Sequence, residues 1–294
     1  MRARFAAAVA ALAAALAFSS LATAQAPQSQ QETGEHWLWK YNGRDRIVGT
    51  GGPAPVHDLS GTWSGPQSGS GVPGLPQPEV PSFTPMGQKL YSANRPIGKY
   101  SPAGTNDANF RTCDPFGFPR AAIDEIRGMQ FATMPNRIVA LYEFQQVWRE
   151  IWMDGRELPK NVGGTEKGAP DPRYYGYSVG HWENDNTLVV ETTGLDENTW
   201  LTKGGYPHTV NTRIEERFTR SDHNDLKVTL TVTDPELYTK PFSLGTVYFR
   251  WTPNQLFDEK LCIPSDTIEY LKSVGDPAGM DPKIKESGQP QSQR

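Results

Sequence analysis

Cysteine is scarce in this chain: Cys113 and Cys262 are the only two among 294 residues, and no Cys-x-x-Cys motif exists. Histidine is nearly as sparse. His36, His57, His181, His208 and His223 form no His-x-His and no His-Glu-x-x-His pattern, so the sequence carries no metal signature and calls for no cofactor. A basic run is missing too. With 29 Lys and Arg against 33 Asp and Glu, the formal charge is -4. A mildly acidic chain without a basic cluster suits neither nucleic acid nor an anionic membrane surface, and both partners are set aside. No internal repeat is visible.

What the chain does have begins at its N-terminus. A short basic region, Met1 to Arg4, precedes an Ala- and Leu-rich run from Phe5 to Leu21 and the small residues Ala22-Thr23-Ala24. This reads as a secretory signal over residues 1–24, cut before Gln25. No cysteine sits at the cleavage point to carry a lipid anchor. The expectation is a periplasmic or secreted protein with no integral membrane association once the signal is removed. Losing Arg2 and Arg4 leaves 27 basic residues against 33 acidic ones and a formal charge of -6. In an exported chain an even pair of cysteines reads more naturally as a disulfide, with two separate buried thiols as the alternative.

Residues 25–57 form an N-terminal arm, polar at first and then holding His36-Trp37-Leu38-Trp39. From Gly49 to Pro81 the density of Gly, Pro and Ser predicts loop around one short element, Leu59 to Trp63. A β domain is expected over residues 58–275, and a flexible tail of Pro, Gly, Lys and Gln over 276–294. Strand signals recur at Arg137 to Phe144, Gln145 to Met153, Tyr174 to Trp182 and Thr187 to Thr193, then at Arg213 to Arg220, Leu226 to Thr233 and Thr246 to Trp251. Leu226 to Thr233 alternates apolar even positions with polar odd ones, so one face meets a core and the other meets water. Helix is confined to short pieces near Thr84 to Ser92 and Asp266 to Val274. The predicted class is mainly β: a single antiparallel barrel of lipocalin or calycin type, or a sandwich.

Several strands place charge where an ordinary half-buried strand would not. Taking alternate residues, Arg149 shares a face with Val147 and Ile151, Glu143 with Leu141, and Glu216 with Ile214 and Phe218. His181 lies with Val179 and Tyr177, and Glu191 lies with Val189. If those faces line a barrel interior, acids and cations must pair there, because an unpaired buried charge is too costly. Such an interior suits a ligand with an apolar body and a polar group, held by Glu143, Arg149, Tyr177, His181 and Glu191. The bland alternative is a set of structural ion pairs. Gly176-Tyr177-Ser178-Val179-Gly180 matches the Gly-x-Ser-x-Gly pentapeptide, yet it is followed by more strand rather than the helix a nucleophile elbow needs.

Taken together, Cys113-Asp114-Pro115-Phe116-Gly117-Phe118-Pro119-Arg120, Trp148-Arg149-Glu150-Ile151 with Asp154-Gly155-Arg156, Ser178-Val179-Gly180-His181-Trp182 and Leu188-Val189-Val190-Glu191-Thr192-Thr193-Gly194 carry a resemblance. The chain resembles, from about Asp58 to Cys262, a family of exported bacterial proteins of uncharacterised function. The resemblance implies export, a single β-rich domain and pairing of the two cysteines. It implies no reaction. Tyr177 stands where that family commonly has histidine.

Three functions follow as expectations. The first is an exported barrel that binds a small, largely apolar molecule bearing a polar group. The second is a cofactor-independent hydrolase, lyase or isomerase using a carboxylate or histidine acid/base pair, with Glu143, His181, His208, Glu216 and Asp234 as candidates. The third is an envelope structural or interaction module.

Overall fold

Alternation of the kind seen in Leu226 to Thr233 governs most of the chain, and nine strands close into one barrel. The computed structural model describes residues 51–65, 79–124 and 128–274. The expected signal peptide, most of the arm, and the tail lie outside the described residues. The strands are β1 (Gly61–Ser64), β2 (Gly128–Met134), β3 (Arg137–Tyr142), β4 (Val147–Trp152), β5 (Tyr177–Asn184), β6 (Thr187–Thr193), β7 (Arg213–Arg220), β8 (Asp225–Thr233) and β9 (Phe242–Trp251). Each pairs with its sequence neighbour, and β9 returns to β1. The barrel expectation holds, and the sandwich alternative falls.

One pair departs from the antiparallel expectation. β4 and β5 run parallel and meet only at Ile151 with Ser178 and Trp152 with Val179. A parallel neighbour needs a long crossover, and the segment from Met153 to Gly176 supplies it. Every other pairing is antiparallel.

The interior is packed. Ile138, Ile151, Leu188, Val190, Ile214 and Leu230 are all buried in one apolar cluster. Phe131 on β2 and Phe218 on β7 meet edge-to-face at 5.5 Å from opposite sides of the barrel. Each such side chain contributes about 1.5–3 kcal/mol by leaving water. Among the described residues these side chains occupy the space between opposite walls, where the sequence reading places a ligand.

Buried side chains gather toward both ends. At one end, the Arg220 guanidinium lies 4.9 Å from the Trp63 ring and 5.1 Å from the Trp251 ring, and donates to the carbonyls of Asp58 and His223. Toward the other end lie Phe118, which is fully buried, and the short helix α3 (Arg120–Ile123), all of whose residues are buried. The other described helices are α1 (Pro85–Ala93), α2 (Ala108–Thr112) and α4 (Pro264–Val274). Thr84 caps α1 by accepting from the Gly87 amide, and Pro85 occupies its first turn, where a missing N–H costs nothing. No described helix is long and apolar enough to cross a membrane. Cys113 and Cys262 stand at disulfide distance, with sulfurs 2.09 Å apart, and tie the segment before α4 to the end of α2.

Candidate functional site

Strand phase brings Arg149 and Glu216 together inside the barrel. Arg149 is inward because it alternates with Ile151, and Glu216 because it alternates with Ile214 and Phe218. They are 4% and 1% exposed. The Arg149 guanidinium donates to the Glu216 carboxylate, and its Nε donates to the Tyr142 hydroxyl at 3.1 Å. Thr192 accepts from Arg149 at 3.2 Å, and Ser178 and Thr192 share a hydrogen bond of 2.8 Å. Phe118 covers the cation, its ring centroid 4.0 Å from the guanidinium carbon.

Burial works against the Arg149 charge, but Glu216 and Tyr142 more than offset it, so the group is held above its ordinary pKa. Burial pushes the Glu216 carboxyl up against the pull of Arg149. The Tyr142 phenol is pushed up to about 12, again mainly by burial. The cluster is a neutralised polar layer in an apolar core. It brings together two residues expected from sequence, Arg149 and Glu216. Tyr142, Ser178, Thr192 and Phe118 join them as partners that strand pattern alone does not identify.

The other candidates lie elsewhere. Glu143 follows the end of β3 and does not share the lumen face, whose buried members are Ile138, Ala140 and Tyr142. It is buried instead under the C-terminal segment, accepting from Lys260 Nζ at 2.6 Å and the Asp258 amide at 3.1 Å. His181 and Glu191 are exposed. The inward positions of β5 and β6 are taken by Ser178, Leu188, Val190 and Thr192, which sends the odd-numbered residues outward, contrary to the inward placement expected. His208 is buried away from the polar layer, its Nε2 2.9 Å from the Thr199 hydroxyl, and burial pushes its imidazole below the ordinary value. Asp234 is a structural bracket. Its carboxylate accepts from the Thr209 amide at 2.9 Å, from the hydroxyls of Thr209 and Thr212, and from the amides of Glu236 and Leu237.

The pentapeptide at Gly176 to Gly180 is also structural. Ser178 lies in strand, hydrogen-bonded to Thr192, with no turn into a helix after it. Gly176 has φ +63, and a Cβ there would stand 2.6 Å from the Thr193 carbonyl oxygen. Gly180 faces Ile151 and Met153, which a Cβ would meet at 2.9 Å. The two glycines let β6 and β4 approach closely.

Where β4 and β5 part, a groove of about 840 Å³ opens in the barrel wall. Trp148, Glu150 and Trp152 form one side, and Arg173, Tyr174, Tyr175 and Tyr177 form the other, with Arg149 and Ser178 also lining it. Trp148 is 58% exposed. Arg156 stacks on Trp152 at 3.5 Å and pairs with Asp154. Arg173 stacks on Tyr177 at 4.3 Å and has no carboxylate partner among the described residues. The Tyr175 hydroxyl is buried without a hydrogen-bond partner among the described residues, and burial pushes its phenol up. Tyr177, expected in the lumen, is half-buried at this groove and donates to the Asp171 carbonyl at 2.8 Å. A second cleft of about 600 Å³ lies beside Cys262, floored by the ion pair of Arg120 with Asp107. Among the described residues no group of three His, Cys, Asp or Glu side chains could hold a metal ion.

The fold and this geometry define a packed barrel with a lateral groove. No protein-family model matches the chain, and a comparison with curated proteins finds no match either.

Proposed function

We propose that this is an exported binding protein whose site is the groove between β4 and β5, and that its ligand is small and largely apolar with an anionic group. The observation that carries the reading is the pairing, in one open groove, of aromatic walls with a guanidinium, Arg173, that lacks a carboxylate partner among the described residues. A site of this kind orients its ligand by a few polar groups and takes most of its affinity from apolar contact. The packed interior supports moving the site from the lumen to the wall.

An acid/base enzyme has less support. Glu216 is neutralised by Arg149, Asp234 and Glu143 are occupied by structural partners, His208 is buried away from the groove, and His181 is exposed on the outer face.

Tryptophan fluorescence tests the proposal, with dodecanoate, indole-3-acetate and N-acetylated apolar tetrapeptides as probes. The expected result is saturable quenching or enhancement by at least one probe, weakened roughly tenfold by Trp148→Ala and by Arg173→Gln, about what one lost charged or aromatic contact costs. Both positions are exposed, so folding stability should shift by no more than about 0.5 kcal/mol. Absence of saturable binding, or binding that neither variant weakens, overturns it.

A further inference from the structure

We propose that the groove takes an extended peptide, which adds to β4 as a strand. This rests on the groove being the ligand site, and it names the ligand class. On its β3 flank, β4 is paired along its whole length, from Val147 opposite Tyr142 to Trp152 opposite Arg137. On its other flank it has strand partners only at Ile151 and Trp152. The stretch from Val147 to Glu150 therefore presents a strand edge with no strand beside it among the described residues. Unpaired edges of this kind are templates for another chain, and proteins ordinarily blunt or cover them.

Here the edge is kept open by specific bonds. The chain before Tyr177 turns at Gly176 and leaves β4. It is tied to the far side by the Arg173 amide donating to the Gly194 carbonyl at 3.0 Å and by the Asp196 amide donating to the Arg173 carbonyl at 3.0 Å. A wedge opens between these anchored residues and β4, lined on the β4 side by Trp148, Arg149, Glu150 and Trp152. Four strand residues span about 13 Å, so a tetrapeptide matches the free length.

The surroundings suit a peptide better than a featureless apolar chain. A bound strand sends alternate side chains to opposite faces, and the groove offers Trp148 and Tyr177 as apolar surfaces. The Arg173 guanidinium complements a terminal carboxylate by charge. The edge supplies amides and carbonyls in alternation, and a fatty acid, with acceptors only at its head and no donor, has no means of pairing them along the strand.

The test uses the full chain and a pool of N-acetyl tetrapeptides built from Val, Ile, Leu and Phe with free C-termini. A matched pool is N-methylated at alternate amides, and dodecanoate and indole-3-acetate serve as strand-incompetent controls. N-methylation removes donors while keeping apolar bulk, and it leaves the protein untouched. The expected result is that the free-acid pool binds and the N-methylated pool binds at least roughly tenfold more weakly, the cost of one or two lost hydrogen bonds. Amidating the C-terminus should weaken binding several-fold, and Arg173→Gln should remove that difference. Equal binding of the two pools overturns strand addition. Binding of a control but not of the peptides overturns it as well and leaves the groove as the site. If no probe binds, the groove reading falls with it.

Discussion

The Arg149 guanidinium carbon lies 4.0 Å from the centroid of the Phe118 ring, so the one strand cation that enters the barrel from β4 is roofed by an aromatic side chain from outside the sheet. Below the ring the charge meets Glu216, and the hydroxyls of Tyr142, Ser178 and Thr192 accept from its other nitrogens. This is how a charge persists among Ile151, Val190 and Ile214: a carboxylate neutralises it, three hydroxyls accept from it and an aromatic ring covers it.

Removing one partner of that pair leaves the other charged, buried and unmatched. Arg149→Met should destabilise the fold by about 3–5 kcal/mol, and Glu216→Leu by a similar amount. The double variant should recover a large part of the loss, because neither charge is then stranded. Urea unfolding of the three variants gives the coupling, and strictly additive losses would contradict a mutually compensating pair.

Cys113 and Cys262 are separated by 149 positions. Closing a loop of that size restricts the unfolded chain, which the loop-entropy model values at roughly 5 kcal/mol. Replacing both cysteines with serine should lower the denaturation midpoint accordingly while leaving the far-ultraviolet spectrum of the barrel unchanged. A midpoint unaffected by the double substitution would show that the bond adds nothing.

His208 makes stability depend on pH in a definite direction. Burial lowers its native pKa below the ordinary 6.5, while the unfolded chain takes up a proton near that value. Well above pH 6.5 both states are neutral and the group contributes no pH dependence. As pH falls further, the unfolded state binds the proton first and is favoured. Stability should therefore decline as pH falls through about 6.5 and below, and His208→Gln should flatten that decline. An unchanged slope in the variant would contradict a neutral native imidazole.

Much of this was legible in the sequence, and the failures are local. Leu226 to Thr233 and Arg213 to Arg220 read correctly as strands because one face is apolar and the other is not. The inward turn of Arg149 and Glu216 followed from Ile151, Ile214 and Phe218, which fix the phase. β6 misleads because Thr187 through Val190 are buried on both faces, so alternation there has no contrast, and Glu191 and, on β5, His181 face outward instead of inward. Glu143 sits one step past its strand, where period two no longer applies.

The roof formed by Phe118 and α3 left no periodic trace, since four helical residues are barely one turn. The parallel pairing of β4 with β5 is a non-local choice. The only sequence sign of it is the long connection from Met153 to Gly176, too long for a hairpin and long enough for a crossover. The groove exists because that pairing is so short, so the site was hidden for the same reason as the topology.

The groove is tested most directly by amide-resolved nuclear magnetic resonance of the nitrogen-labelled full chain, titrated in turn with dodecanoate and with the apolar tetrapeptide pool. The account predicts saturable shifts concentrated at Trp148 to Glu150 and Arg173 to Tyr177, with the indoles of Trp148 and Trp152 moving alongside them. Shifts centred instead on Phe131, Phe218 and Leu230 inside the barrel, or no saturable shift with either probe, would contradict it.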